Sequence, residues 1–124
     1  MNSLNTLTIT EAREGLKKKK FSSVELTKAC LEQIKKHNKE INAFITVCEE
    51  EALEAARKAD QLVSQGDALQ NMPLLGIPIA LKDLYLTKRI RTTAASKVLK
   101  NYIPQYDATA VRMLKDAGAV IIGK

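Results

Sequence analysis

The sequence of 124 residues is long enough for one compact domain and short for two. Hydrophobic residues make up 45% and charged residues 27%, a balance that excludes a disordered polar chain. The longest stretch without a charge, residues 68–81, contains two prolines and is shorter than the roughly 20 apolar residues of a membrane-spanning helix. We therefore expect a globular protein without membrane association, with the cytoplasm as its compartment.

The net charge of +6 is concentrated in the second half of the sequence. Residues 1–62 carry eleven basic and ten acidic side chains, whereas residues 63–124 carry nine basic and four acidic ones. The four lysines Lys17–Lys20 are thus neutralised within their own half, and lysines at a helix end are more often exposed surface than nucleic-acid contacts. Because only 4% of residues are aromatic, the composition does not favour base stacking, and no DNA binding is expected.

Three helices are predicted in the first 66 residues. Two begin at capping boxes, in which a hydroxyl and a carboxylate three residues later satisfy free amides. These boxes are Thr8–Glu11 and Ser22–Glu25. The second helix is predicted to run to about Asn38, and residues 41–47, which are β-branched and aromatic, predict a short strand or an extended connector. The third helix starts at Glu49, carries alanines at helical spacing and ends at Gly66.

The pattern changes after Gly66. Residues 67–72 predict a polar linker, and residues 73–81 form a continuous apolar run. Such a run predicts a strand buried on both faces, although its prolines limit the hydrogen bonds that it can donate. Residues 90–93 predict another short extended segment.

The last predicted elements are a helix capped by Asp107 and closed by Gly118, and a β-branched strand over residues 119–122. A buried parallel strand normally continues into a further crossover. We therefore predict an α/β fold in which residues 1–66 form an N-terminal helical region. Residues 67–124 then supply the first strands and the crossover helix of a mixed sheet that is incomplete in this chain. An unpaired edge along residues 119–122 would promote aggregation.

Few side chains are candidates for chemistry. The sequence contains no P-loop, dinucleotide-binding, zinc-protease or G-x-S-x-G motif. His37, the only histidine, lies among lysines at a predicted helix end, which is typical of an exposed residue. Cys30 and Cys48 have neither metal-ligand spacing nor the number needed for a disulfide framework. We therefore expect no cofactor and no metal in this chain.

Lys82 is the strongest catalytic candidate. It is the first positively charged residue after Lys58, and in an extended segment it shares a face with Pro78 and Ala80. Loss of solvation against such neighbours favours a neutral amine, which can act as a base. The alternative is a lysine at a strand end whose ammonium reaches water or pairs with Asp83, and spacing alone favours this alternative.

Several segments resemble the amidase-signature family, and together they cover the chain from about Leu7. Gly76-Ile77-Pro78-Ile79-Ala80-Leu81-Lys82-Asp83 is similar to the element that marks the superfamily. Arg91-Thr92-Thr93 and Tyr106-Asp107-Ala108-Thr109 resemble one branch in particular, the A subunits of glutamyl-tRNA(Gln) amidotransferases. Residues 117–124 and the helical first half are also similar to that branch.

The resemblance implies a Ser–cis-Ser–Lys triad in which Lys82 is the catalytic lysine. In the family, a neutral lysine acts through a bridging serine on a nucleophilic serine, which attacks the side-chain amide of glutamine or asparagine and releases ammonia. The family's two serines lie in a later Gly/Ser-rich segment. The serines of this chain match neither of them: Ser3, Ser22, Ser23, Ser64 and Ser96. We therefore expect an N-terminal portion of the enzyme that is inactive by itself.

The same resemblance implies partners, the B and C subunits of the amidotransferase. The B subunit would use ATP and Mg²⁺ to convert Glu-tRNA(Gln) to Gln-tRNA(Gln), and the C subunit would bridge the other two. Two alternatives stay open: a fragment of a stand-alone amidase for small amides, and a truncated non-enzymatic module that binds tRNA or a partner through its basic second half. The segments 91–93 and 106–109 count against the first alternative. Salt-sensitive tRNA binding by the chain would favour the second.

The sequence departs from the family beside Lys82. Arg89 stands where the family usually has glycine, Leu84-Tyr85-Leu86 replaces a segment often written Asn-Ile-Cys, and Ala94-Ala95 occupies positions where cysteine or glycine is frequent. If the turn at Arg89 requires a positive φ, a non-glycine residue there costs on the order of 1 kcal/mol.

Overall fold

The computed structural model describes residues 3–124. A short 3-10 helix over Leu4–Thr6 precedes seven further elements. The helices are α1 (Ile9–Lys17), α2 (Ser23–Ile41), α3 (Glu49–Ser64), α4 (Ala68–Asn71) and α5 (Thr109–Asp116), and the strands are β1 (Pro78–Ala80) and β2 (Val120–Gly123). Within residues 3–124, no helix combines the length and the apolar character that a membrane crossing requires.

Both predicted capping boxes are present. The hydroxyls of Thr8 and Ser22 accept hydrogen bonds from the amides of Glu11 and Glu25, and each glutamate carboxylate returns to the capping residue's own amide. Helix α2 runs one turn beyond its predicted end and stops where Asn42 adopts a left-handed conformation (φ 53°). The lysines after α1 are exposed, as predicted.

Helices α2 and α3 are joined by a carboxylate. Asp60 on α3 accepts hydrogen bonds from the amides of Ser23 (2.6 Å) and Val24 (3.1 Å), two of the free amides at the start of α2. The predicted alanine stripe of α3 is buried at Ala52, Ala56 and Ala59. Small side chains on α3 therefore let it pack closely against α2 and β2.

The sheet has two parallel strands, with Pro78 opposite Val120 and Ile79 opposite Ile121. The predicted strand over residues 73–81 is wrong in extent, because only Pro78–Ala80 is extended, and wrong in burial, because Ala80 is exposed. Gly76, with φ +75°, turns the chain before the strand, and its amide donates to the carbonyl of Gly118 (3.0 Å). The apolar run is consequently divided into a turn and a short strand.

Strand β2 is fully buried, and the exposed edge expected for residues 119–122 is not observed. The connector after α2 runs antiparallel along that edge and forms a bridge between Val47 and Gly123. Its backbone bonds include Cys48 amide to Ile122 carbonyl (3.0 Å) and Lys124 amide to Thr46 carbonyl (2.8 Å). The connector thus satisfies the groups that would otherwise promote pairing between chains.

Two of the three hydrophobic clusters join the helical region to the sheet. Leu31 and Ala56 pack with Val120, and Leu16 and Leu26 pack with Ile77. A third cluster lies between the strands and α5: Leu81, Val111, Ala119 and Ile121. The N-terminal helices and the sheet therefore share buried surface.

Three further expectations need correction. The segment expected to be a polar linker contains α4, and residues 90–93 contribute only a bridge between Ile90 and Thr87. Asp107 does not cap α5, whose N-cap is Ala108 without a side-chain bond. The Asp107 carboxylate instead accepts from the amide of Lys88 (2.7 Å) and pairs with the ammonium of Lys115 (2.8 Å).

Candidate active site

Lys82 lies just beyond the carboxyl end of β1. The amide of Leu81 donates to the carbonyl of Gly123 (3.0 Å), so the pairing continues to the ends of both strands. Lys82 and Lys124 therefore follow the two strands at one edge of the sheet, the edge at which α/β proteins bind ligands. The Lys82 side chain is exposed, and its carbonyl accepts from the amide of Tyr85 (3.1 Å) in a turn.

Asp83, the next residue, is buried and does not pair with Lys82. One oxygen of its carboxylate accepts hydrogen bonds from the amide of Thr93 (3.1 Å) and from the Thr93 hydroxyl. The other oxygen lies 3.7 Å from the ammonium nitrogen of Lys124. The backbone carbonyl of Asp83 also accepts a hydrogen bond from the amide of Ala94 (2.8 Å). Asp83 thus joins the turn after β1 to the segment around Thr93.

Lys124 is the buried lysine of this site. Its side chain has no exposed surface, and its ammonium donates to the carbonyl of Tyr85 (2.8 Å) and to the hydroxyl of Thr92. Burial lowers the pKa of Lys124 from its ordinary value of 10.5, and the carboxylate of Asp83 opposes this shift. The ammonium therefore holds three segments together: the turn after β1, the segment around Thr92 and the end of β2.

The segment that faces Asp83 has an unusual backbone. Ala94 and Ala95 both adopt positive φ angles, 48° and 55°. The hydroxyl of Thr93 accepts from the amide of Ala95 (3.2 Å). Two consecutive left-handed alanines cost on the order of 1 kcal/mol each, and the bonds to Asp83 and Thr93 compensate for that cost.

The other candidates are not part of this cluster. His37 is exposed on α2, and Cys48 is buried beside β2. The serines have local roles: Ser23 donates to the carbonyl of Gly76 (2.8 Å), Ser64 donates to the carbonyl of Gln61, and Ser96 accepts from the amide of Val98. Across residues 3–124, no group of three or more His, Cys, Asp or Glu is placed to hold a metal ion.

Lys82 is the catalytic candidate expected from the sequence, whereas Lys124 was not singled out there. A usable signal was present, because Lys124 also follows an apolar run, residues 117–123, that carries no charge. The two apolar runs are alike in character, so the sequence does not indicate which of the two lysines that follow them is buried. That depends on residues 85 and 92, which contact Lys124 only in the folded chain.

A lysine at the carboxyl edge of a parallel β–α–β unit, beside a buried aspartate, lies where α/β proteins bind their ligands. The comparisons with known proteins identify the family to which this α/β protein belongs. A family model described as Amidase matches residues 25–124, a segment that contains the whole site. The chain therefore belongs to the amidase-signature family, and the predicted fold class is confirmed.

Relatives of known name cover nearly the whole chain. The A subunit of the glutamyl-tRNA(Gln) amidotransferase from Geobacter metallireducens is 55% identical over 118 residues, which are 95% of this chain and 24% of that protein. The protein of the same name from Dehalococcoides mccartyi is 52% identical over 124 residues, 100% of this chain and 25% of that protein. This chain thus spans about a quarter of the length of the curated relatives that it matches.

Solved structures show the same fold. The peptide amidase of Stenotrophomonas maltophilia has a TM-score of 0.88 and 31% identity, covering 96% of this chain and 24% of that one. A bacterial aryl acylamidase of the amidase-signature family has a TM-score of 0.85 at 19% identity, covering 98% of this chain and 25% of its own, and so shares the fold. The architecture of this segment is therefore common to amidases of different substrates.

Proposed function

We propose that this chain supplies the lysine base and the first part of the sheet of an amidase subunit. In this proposal the complete protein releases ammonia from the side-chain amide of glutamine, or of asparagine, within a glutamyl-tRNA(Gln) amidotransferase. One observation carries it: Lys82 lies at the carboxyl edge of the sheet, inside a segment that is more than half identical to a relative of that name.

In the proposed reaction, Lys82 acts as a neutral amine. It accepts a proton, through a bridging serine, from the serine that attacks the amide carbon, and the new C–O bond forms as that proton leaves. The C–N bond then breaks, the departing nitrogen takes the proton from the lysine, and ammonia leaves a γ-glutamyl ester. Water hydrolyses this ester to glutamate and restores the serine.

This chemistry requires that Lys82 be desolvated, whereas the isolated chain leaves its side chain exposed. In the complete protein, further chain would cover this edge and supply both serines. We therefore expect no ammonia release from glutamine by the purified chain of 124 residues. Ammonia release that disappears in Lys82→Ala would contradict this expectation.

The proposed function also implies a larger assembly. A partner of the B type would use ATP and Mg²⁺ to amidate Glu-tRNA(Gln), a small partner of the C type would bridge the two, and the complex would work in the cytoplasm. The name shared by the curated relatives supports this assignment.

The test is a graft. The 118 matching residues of the Geobacter metallireducens relative are replaced by this chain's sequence, and the grafted protein is produced with the B and C subunits of that organism. We expect Gln-tRNA(Gln) formation with glutamine as the donor. Lys82→Ala in the graft should abolish it, whereas ammonium chloride supplied directly should restore product, because ammonia bypasses the amidase.

A stand-alone amidase is the second candidate, favoured by the TM-score of 0.88 with a peptide amidase. The same graft separates the two. If the grafted protein hydrolyses glutamine but does not assemble with the B and C subunits, the stand-alone function is supported. Assembly together with glutamine-dependent product supports the amidotransferase.

A further inference from the structure

We propose that Lys124 is a positioning residue for Lys82, holding the turn that carries Lys82 in one orientation at the edge of the sheet. This inference rests on the proposed role of Lys82 as the base. It concerns a lysine whose ammonium is enclosed by other groups of this chain, and it gives this buried charge a role that the proposed reaction does not assign to it.

The backbone on either side of Lys82 is hydrogen-bonded to the end of β2 or to a group that is. On one side, the amide of Leu81 is bonded to the carbonyl of Gly123, the residue before Lys124. On the other side, the Lys82 carbonyl accepts from the amide of Tyr85, and the Tyr85 carbonyl accepts from the Lys124 ammonium at 2.8 Å. Both ends of the turn are thus attached to the end of β2, one through Gly123 and one through Lys124.

The side chain next to Lys82, that of Asp83, also lies beside the Lys124 ammonium. The Asp83 carboxylate accepts a hydrogen bond from the Thr93 amide and forms an ion pair with the Lys124 ammonium (3.7 Å). The same ammonium donates to Thr92, whose hydroxyl donates in turn to the carbonyl of Ile90 (3.1 Å). One cation therefore fixes the turn and the segment facing it, so that Lys82 projects from a backbone attached on both sides.

Lys124 itself is not available for chemistry. Its side chain has no exposed surface, and its ammonium donates to a carbonyl and a hydroxyl beside a carboxylate. The Lys124 side chain is enclosed and hydrogen-bonded and so cannot reach a substrate, whereas Lys82 is exposed at the start of the turn. An apolar residue would fill the position of Lys124 without the cost of burying a charge, so the retained ammonium is best explained by the geometry that it imposes.

The test uses the grafted protein in its complex and compares Lys124→Met with unchanged graft, with Lys82→Ala and with Lys115→Met. Lys115→Met is the matched control, because it removes the same charge from an ion pair, with Asp107, that shares no hydrogen bond with Lys82, Asp83 or Lys124. For Lys124→Met we expect kcat for glutamine hydrolysis to fall about 10- to 100-fold with KM changed less than about threefold, since misplacing a reacting group by about 1 Å has effects of this size. Lys124→Arg should recover part of the loss.

The outcomes separate this inference from the proposed function. If Lys82→Ala keeps full activity, the proposed role of Lys82 fails. If Lys82→Ala is inactive but Lys124→Met matches Lys115→Met in kcat, only the inference is overturned. Should Lys124→Met not assemble, Thr92→Val decides, because it removes one bond of the ammonium and leaves the ion pair with Asp83 in place. A loss of kcat of about three- to tenfold supports the inference, and an unchanged kcat overturns it.

Discussion

Lys82 and Lys124 both follow the carboxyl ends of the two paired strands, and they lie in opposite environments. The side chain of Lys82 is exposed, whereas that of Lys124 is enclosed by Tyr85, Thr92 and Asp83. The two lysines follow similar apolar runs, so the difference arises from the loops that fold over one of them. One strand end is thus followed by an exposed lysine, and the other by a buried lysine that is hydrogen-bonded to the turn after Lys82.

The positive φ at Arg89 makes Arg89→Gly a candidate for a stabilising substitution. Arg89 has a φ of 65°, so the positive φ implied by the family's glycine is observed. We expect Arg89→Gly to raise the free energy of unfolding by about 0.5 kcal/mol, because relief of the left-handed strain exceeds the entropy that glycine adds to the unfolded chain. Urea denaturation of the purified chain measures this change.

The matched control for that substitution is Arg89→Ala. Alanine removes the exposed side chain but keeps the left-handed cost, and the Arg89 amide still donates to the carbonyl of Pro104 (3.0 Å) in either variant. We expect Arg89→Ala to be close to the original chain in stability. Equal stability of the glycine and alanine variants would show that the backbone at this turn is not strained.

The pair of Asp107 and Lys115 predicts a pH-dependent stability. Partial burial raises the pKa of Asp107, but the Lys115 ammonium and the Lys88 amide outweigh it, so the pKa lies below its ordinary value of 3.8. A lowered carboxyl pKa stabilises the fold above the unfolded value, and this contribution is lost as the pH falls through the folded value. Asp107→Asn should therefore cost about 1 kcal/mol at neutral pH, and the difference from the original chain should shrink below pH 3.8.

Asp116→Asn serves as the control for this prediction, because Asp116 is an exposed carboxylate on the same helix. Its effect at neutral pH should be within about 0.5 kcal/mol. Denaturation curves for both variants at neutral and acid pH make the comparison. A constant cost of Asp107→Asn across that range would show that the carboxylate is not stabilised by its charge.

We expect the Cys48 thiol to react slowly with thiol reagents. Burial raises its pKa from 9.0 to about 11, and the nearby Glu51 adds to the rise. At pH 8 its thiolate fraction should be about 100-fold smaller than that of an unperturbed cysteine, as follows from a difference of about two pKa units. Labelling of a Cys30→Ser variant with a thiol reagent isolates Cys48, and urea supplies the unfolded reference. The rate should keep rising above pH 9, and a plateau near pH 9 would contradict the shift.

The local features of the fold were predictable from sequence. The capping boxes at Thr8 and Ser22, the alanine stripe of α3 and the strand near residues 120–123 all formed where expected, because each depends on residues close together in the chain. The family resemblance of the segment around Lys82 was confirmed by the comparisons.

The predictions that were wrong concern features that depend on residues far apart in the sequence. The edge of β2 is covered by residues 45–48, which lie far earlier in the sequence. Asp107 does not cap α5 as expected, because its carboxylate accepts hydrogen bonds from the Lys88 amide and the Lys115 ammonium. The burial of Lys124 likewise depends on residues 85 and 92. In each case a long-range contact outweighs a local preference, and periodicity alone contains no information about it.

Ammonia release from glutamine by the grafted protein tests the proposed role of Lys82 as the base of an amidase most directly. The comparison is between Lys82→Ala and Lys97→Ala, an exposed lysine outside the site. We expect Lys97→Ala to match the unchanged graft and Lys82→Ala to lose at least about 100-fold in kcat, the usual contribution of a positioned base. Equal rates of ammonia release by the two variants would contradict the account.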